Sequence, residues 1–231
     1  MLIIYIDLDQ TLKAEQMMKL MVGVLAAVLF SPISSVHAQQ GDAKAGSLKN
    51  AQCIGCHGIK GYHTGFPEVY RVPMLSGQSA AYIVSALNDY KSGARKHPSM
   101  GTMSLSLSAQ DMADLGAFYE STGLAAETPA QAIDTALGAS LIEKGGCAAC
   151  HGQGLSKPIA PNYPKIAGQY SDYVYASLRA YKTENKPQIG RSNPIMGGVV
   201  KQFSDKELKE IARYVESLPT TMQTIQPNRF R

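Results

Sequence analysis

Two short stretches hold every cysteine in the chain. "AQCIGCHG" carries Cys53, Cys56 and His57, and "GGCAACHG" carries Cys147, Cys150 and His151. Four chemistries use cysteine at this spacing. Disulfides suit an exported protein but leave the histidine after each pair unexplained. A thioredoxin-like dithiol expects a βαβ setting, and no alternating strand pattern stands near either motif. A closed zinc site takes four ligands, whereas each copy offers one cysteine pair with a histidine fused to it. Covalent haem attachment uses every residue, and C-x-x-C-H is its signature. Residues three apart on a helical turn share a face. Both thiols can then form thioethers to the vinyl groups of one porphyrin, while the next imidazole meets the iron. Two copies predict two covalently bound haems c, each with one iron.

Each iron needs a sixth ligand. The first copy offers His63 and His97, but the second has no histidine besides His151, so a shared architecture favours methionine. Met100 stands eight residues before Ser108 and Met196 eight before Ser204, and both serines open a helix. That spacing selects Met100 over Met74, Met103 and Met112, and Met196 over Met222, whose ordinary use is apolar packing. The expected axial ligands are therefore His57, Met100, His151 and Met196. His/Met ligation favours reduced iron and raises the potential. Pro73 and Pro164 follow the motifs in the two copies. A proline carbonyl there can accept from Nδ1 of an axial histidine and fix its ring; shaping the loop is its other use.

The elements that position these residues also repeat. "VPMLSGQSAAYIVSALNDYKSG" corresponds to "YPKIAGQYSDYVYASLRAYKTE", and "MGTMSLSLSAQDMADLGAFYES" to "MGGVVKQFSDKELKEIARYVES". Each unit takes about 90 residues and keeps one order, the mark of a duplicated module. Ile83, Ala86, Leu87 and Tyr90, then Val174, Leu178 and Tyr181, follow a helical period. Ser108 with Asp111 and Ser204 with Glu207 read as capping boxes, with apolar faces continuing through Met112, Leu115 and Tyr119 and through Leu208, Ile211 and Val215. Gly123 and Pro219 close these helices. The fold class expected is all-α, with the tyrosines packing the core and the haem pockets.

The order CxxCH, P-x-x-x-G-Q-x-x-x-Y, Met, then L/F-S-x-x-[DE], found twice, resembles the two-haem cytochromes of the cytochrome c4 family. The resemblance spans almost all of the chain after residue 38. It implies two tandem class I cytochrome c domains related by a pseudo-twofold axis, 39–125 and 126–231, with the haems near their interface. It implies attachment at Cys53, Cys56, Cys147 and Cys150, axial His57, Met100, His151 and Met196, and no catalytic residue. It further implies periplasmic electron transfer between a quinol-oxidising complex and a terminal oxidase. "AQAIDTALGASLIEKGGCAACHG" also resembles the dihaem subunit of flavocytochrome c sulfide dehydrogenases, which makes a flavoprotein subunit the alternative partner. Catalysis at the haem would need an open sixth position, which two methionine ligands would fill. The expected activity is that of an electron carrier, not an enzyme.

Bulk properties bound these readings. The chain has 231 residues, is 45% hydrophobic and carries +4. Its mean hydropathy of -0.12 excludes a polytopic membrane protein. No Lys/Arg run marks a nucleic-acid partner. Lys19, the apolar run from Leu20 to Phe30, and small residues Val36 and Ala38 before Gln39 form a secretory signal peptide. The run is shorter than the ~20 residues of a spanning helix. An uncleaved segment would instead associate the protein with a membrane. Asp7, Asp9 and Glu15 do not suit a signal's basic start, so translation is expected to begin at Met17 or Met18. Cleavage before Gln39 leaves 20 basic against 15 acidic residues in the exported chain.

Overall fold

The computed structural model describes Met17 and residues 40–129, 131, 135–183 and 186–225. The rest of the expected leader, 1–38, lies outside the described residues. Residues 39–231 form one unit by their contacts, and within it the duplicated sequence folds into two runs of matching helices.

The first run is α1 (Ala43–Lys49), α2 (Ala51–His57), α3 (Ala80–Ser92), α4 (Pro98–Leu105) and α5 (Ala109–Ser121). The second is α6 (Ala136–Lys144), α7 (Ala148–His151), α8 (Ser171–Lys182), α9 (Pro194–Lys201) and α10 (Asp205–Ser217). In each run the last helix packs on the first and on the third, α5 on α1 and α3, and α10 on α6 and α8. The capping boxes form as expected. Ser108 accepts from the Asp111 N–H and Ser204 from the Glu207 N–H, and each acid returns a bond to the serine backbone. Satisfying the free N–H groups there starts both closing helices at a fixed residue. The two cores differ in size. The second joins Leu141, Ile142, Leu155, Val174, Val200, Phe203, Leu208, Ile211 and Val215, while the first gathers Leu107, Met112 and Leu115 against Cys53, Val84 and Leu87.

Among the described residues the fold is mostly helical, with four strands of two residues each: β1 (His63–Thr64), β2 (Tyr70–Arg71), β3 (Arg95–Lys96) and β4 (Gly190–Arg191). Two residues are too few to alternate, so no periodicity could announce them. β1 pairs with β2 inside the first run, but β3 pairs with β4 across the two runs, setting Arg95 opposite Arg191. Among the described residues no helix is long and apolar enough to cross a membrane.

A second join is ionic. Arg71 donates from Nε to both Asp172 oxygens at 3.0 Å and from its two terminal nitrogens to Glu216 at 2.7 and 3.1 Å, and its guanidinium lies 4.4 Å over the Tyr170 ring. The planar fork of arginine suits two carboxylates at once. The connector between the runs hydrogen-bonds through the N–H groups of Leu124, Thr128 and Gln131 to the backbone after and at the end of α10.

Candidate functional site

One cavity of about 630 Å³ runs between the two helix runs. Cys56, His57 and Met100 of the first copy line it, and so do Cys147, Cys150, His151 and Met196 of the second. Seven of the eight expected haem residues thus share a single space. Cys53 sits behind them, packed on the Leu107–Met112–Leu115 core. None of the four cysteines is tied in a disulfide. Among the described residues no group of three or more His, Cys, Asp or Glu side chains converges to hold a metal ion, which is the arrangement a zinc site would need.

Local structure explains each placement. α2 carries Cys53 and Cys56 one turn apart with His57 directly after, and in the second copy Cys147 stands at the N-cap of the short α7 that ends at His151. Both histidines meet the proline carbonyl anticipated for them: His57 Nδ1 lies 3.0 Å from the Pro73 oxygen and His151 Nδ1 2.9 Å from the Pro164 oxygen. A carbonyl can only accept, so Nδ1 carries the proton and Nε2 keeps its lone pair for a ligand. Burial lowers both imidazoles below their usual range, outweighing the opposite pull of the proline carbonyls, and so keeps the rings neutral. Burial likewise raises the Cys53 and Cys147 thiols.

The methionines are set by two short helices with one design. Pro98 and Pro194 open α4 and α9, and the capping side chains of His97 and Asn193 accept from the Met100 and Met196 N–H groups, at 3.4 and 3.0 Å. Each methionine therefore stands at the third residue of a capped helix. Met103 is exposed, Met112 is core and Met222 is buried with its sulfur 3.6 Å from Gln78 Nε2, and none of the three lines the cavity. Met74 also reaches the cavity wall, so in the first copy position along the chain, and not cavity access alone, separates it from Met100.

Sequence reasoning missed two residues here, Arg95 and Arg191. Both line the cavity, each five residues before its methionine. That equal spacing was the available signal. Arg95 donates to the hydroxyls of Tyr82 and Tyr173, at 3.2 and 2.6 Å, and Arg191 to those of Tyr173 and Ser177, at 3.2 and 2.6 Å. Two guanidiniums thus share one tyrosine, and among the described residues neither forms an ion pair with a carboxylate. Arg95 is 8% exposed, and its buried Nε has no acceptor. Burial alone would raise the Tyr173 hydroxyl, but the two arginines bring it down to about 7. Unneutralised positive charge inside a protein is costly, and here it faces the cavity. A haem carries two carboxylates, so the donor set lining the cavity fits that group: thiols, imidazoles and methionines, with guanidiniums for the acids.

Comparison with known proteins agrees with the geometry. The family model described as Cytochrome c matches residues 43–123 and again 135–219. The chain is 31% identical over 193 residues to cytochrome c4 of Thiocapsa roseopersicina, covering 78% of this chain and 94% of that protein. It is 29% identical over 209 residues to the thiosulfate dehydrogenase electron acceptor of Stutzerimonas stutzeri strain A1501, covering 83% and 91%. Its fold matches the crystal structure of reduced recombinant cytochrome c4 from Pseudomonas stutzeri with a TM-score of 0.61 and 30% identity, over 77% of this chain and 99% of that one.

Proposed function

The chain belongs to the cytochrome c family, as a two-haem electron carrier of the cytochrome c4 type, and from that premise we propose that it works in the periplasm between a quinol-oxidising complex and a terminal oxidase. The two domains are assigned to 39–125 and 126–231. Cys53 and Cys56 attach one haem and Cys147 and Cys150 the other, with His57 and Met100, and His151 and Met196, as axial ligands. The observation that carries this reading is the convergence of both ligand sets on one cavity, each histidine aimed by a proline carbonyl.

Bound haem supplies an iron that alternates between Fe(III) and Fe(II). The protein does the rest. The proline carbonyls hold the imidazole protons on Nδ1 and the helix caps hold the methionines; an apolar surround at the iron would favour the less charged, reduced state. Arg95 and Arg191, which line the cavity, would donate to the haem carboxylates.

Replacement of the sulfur ligands tests the assignment. Met100→Ala and Met196→Ala should each abolish one of two low-spin His/Met spectra and leave the other. Loss from Met103→Ala instead would displace the first-copy assignment by three residues.

The relative named as a thiosulfate dehydrogenase electron acceptor favours a second reading, in which the donor is a sulfur-oxidising enzyme. Flavin and haem absorbance followed together through size exclusion of the native protein separates a diffusing carrier, whichever its donor, from a subunit of a flavoprotein. Haem alone fits a diffusing carrier, and flavin at a fixed ratio to haem fits the sulfide flavocytochrome subunit.

A further inference from the structure

The Gly-Gln element recurs in both copies, and each glutamine, whose Oε1 also accepts from the next N–H of its own copy (Ser79 to Gln78 at 3.0 Å, Tyr170 to Gln169 at 3.1 Å), reaches across to the other copy. Gln78 Nε2 donates to the Lys165 carbonyl at 2.8 Å, and its Oε1 accepts from the Lys165 N–H at 2.9 Å. Gln169 mirrors this, with Nε2 to the Met74 carbonyl at 3.0 Å and Oε1 from the Met74 N–H at 3.1 Å. These partners fix how each amide is turned, since a backbone N–H can face only Oε1 and a carbonyl only Nε2. Both side chains are buried, 4% and 5% exposed. The glycine before each, Gly77 at φ +87° and Gly168 at φ +71°, takes the left-handed turn that directs the next side chain to the other domain. Each glycine N–H is anchored at 2.7 Å on its own last helix, Gly77 on the Tyr119 carbonyl and Gly168 on the Val215 carbonyl.

The N–H of Met74 and the carbonyl of Pro73 belong to one peptide unit, as do the N–H of Lys165 and the carbonyl of Pro164. Two chains of hydrogen bonds result. His57 Nδ1–H runs to the Pro73 carbonyl, through that peptide to the Met74 N–H, and on to Gln169 Oε1. His151 Nδ1–H runs to the Pro164 carbonyl, then the Lys165 N–H, then Gln78 Oε1. A peptide bonded at both ends is polarised, and its carbonyl accepts more strongly, above all in a dry interior.

We propose that Gln78 and Gln169 are positioning residues acting in trans: each sets the orientation and basicity of the axial histidine in the opposite domain. A stronger acceptor at Nδ1 makes the imidazole a better donor to iron, which favours Fe(III). Gln78→Leu, which removes the bonds but keeps the bulk, should raise the potential of the second-domain haem, and Gln169→Leu that of the first. The inference rests on His57 and His151 being axial ligands.

The test is a potentiometric titration of the intact two-haem protein. Each wave is assigned to a domain by the His/Met spectrum lost in Met100→Ala or Met196→Ala. The expected result is a crossed pattern, in which Gln78→Leu raises the second-domain potential and leaves the first in place, and Gln169→Leu does the reverse. Gln78→Met and Gln169→Met, which fill the space with a flexible apolar chain, should behave alike and serve where a leucine variant does not mature. A shift confined to the glutamine's own domain, an equal shift in both, or unmoved potentials with both spectra intact would each overturn the proposal. If instead the methionine variants fail to remove one spectrum apiece, it is the ligand assignment that falls.

Discussion

Single side chains decide what kind of electron carrier this is. A histidine with its Nδ1 proton committed to a carbonyl presents one defined lone pair, and a methionine held at the third residue of a capped helix has little room to wander. Arg95 is the residue whose environment asks most plainly for something beyond the polypeptide, being buried, without an acceptor at Nε and paired across β3–β4 with a second arginine. A positive charge beside a haem stabilises the electron that reduction adds. Arg95→Gln should therefore lower the potential of the first-domain haem, read by redox titration, while the His/Met spectrum persists. An unmoved potential would mean that Arg95 neutralises no haem carboxylate.

Elements matter because they deliver these residues to the same place twice. α5 and α10 open on matched capping boxes, and their carbonyls at Tyr119 and Val215 anchor the two Gly-Gln turns. The cap thus fixes where the helix starts, the helix fixes the turn, and the turn fixes the glutamine. Ser108→Ala and Ser204→Ala should each cost about 1 kcal/mol in chemical unfolding, with the boxed acid left without its partner hydroxyl. Both positions are exposed, so no cavity forms, and a loss several times larger would point to a role beyond capping.

At the scale of the molecule the two domains are locked by polar groups. Arg71 joins Asp172 and Glu216, β3 pairs with β4, and the two glutamines clasp reciprocal peptides. Burial would raise Asp172 and Glu216, but hydrogen bonds from Arg71 outweigh it and hold both carboxyls below their usual range. Groups with lowered values contribute stability that is fully present above their unfolded values, about 4, and is lost as pH falls through the lower folded ones. Thermal unfolding followed from neutral pH downward should show this loss beginning near pH 4. Arg71→Ala should lower stability at neutral pH by roughly 1.5–3 kcal/mol, the range for hydrogen bonds to charged groups, and should flatten that acid limb. An unchanged acid limb would place the sensitivity elsewhere.

Much of this was open to a reader of the sequence. Cys-x-x-Cys-His, the histidine-bearing proline loop, the serine caps and the methionine eight residues before each cap are local patterns. Local patterns are legible because helical spacing and capping act within a few residues. The duplicated order made two haem sites and a mostly helical fold readable before any coordinate. What the sequence could not state is that each Gly-Gln also reaches the opposite copy, that Arg95 and Arg191 share Tyr173, or that both ligand sets open into one cavity. Those facts depend on residues 78 to 95 positions apart meeting across the domain interface. Nothing in local spacing encodes such a meeting; it is settled when the two halves pack and their buried polar groups must find partners.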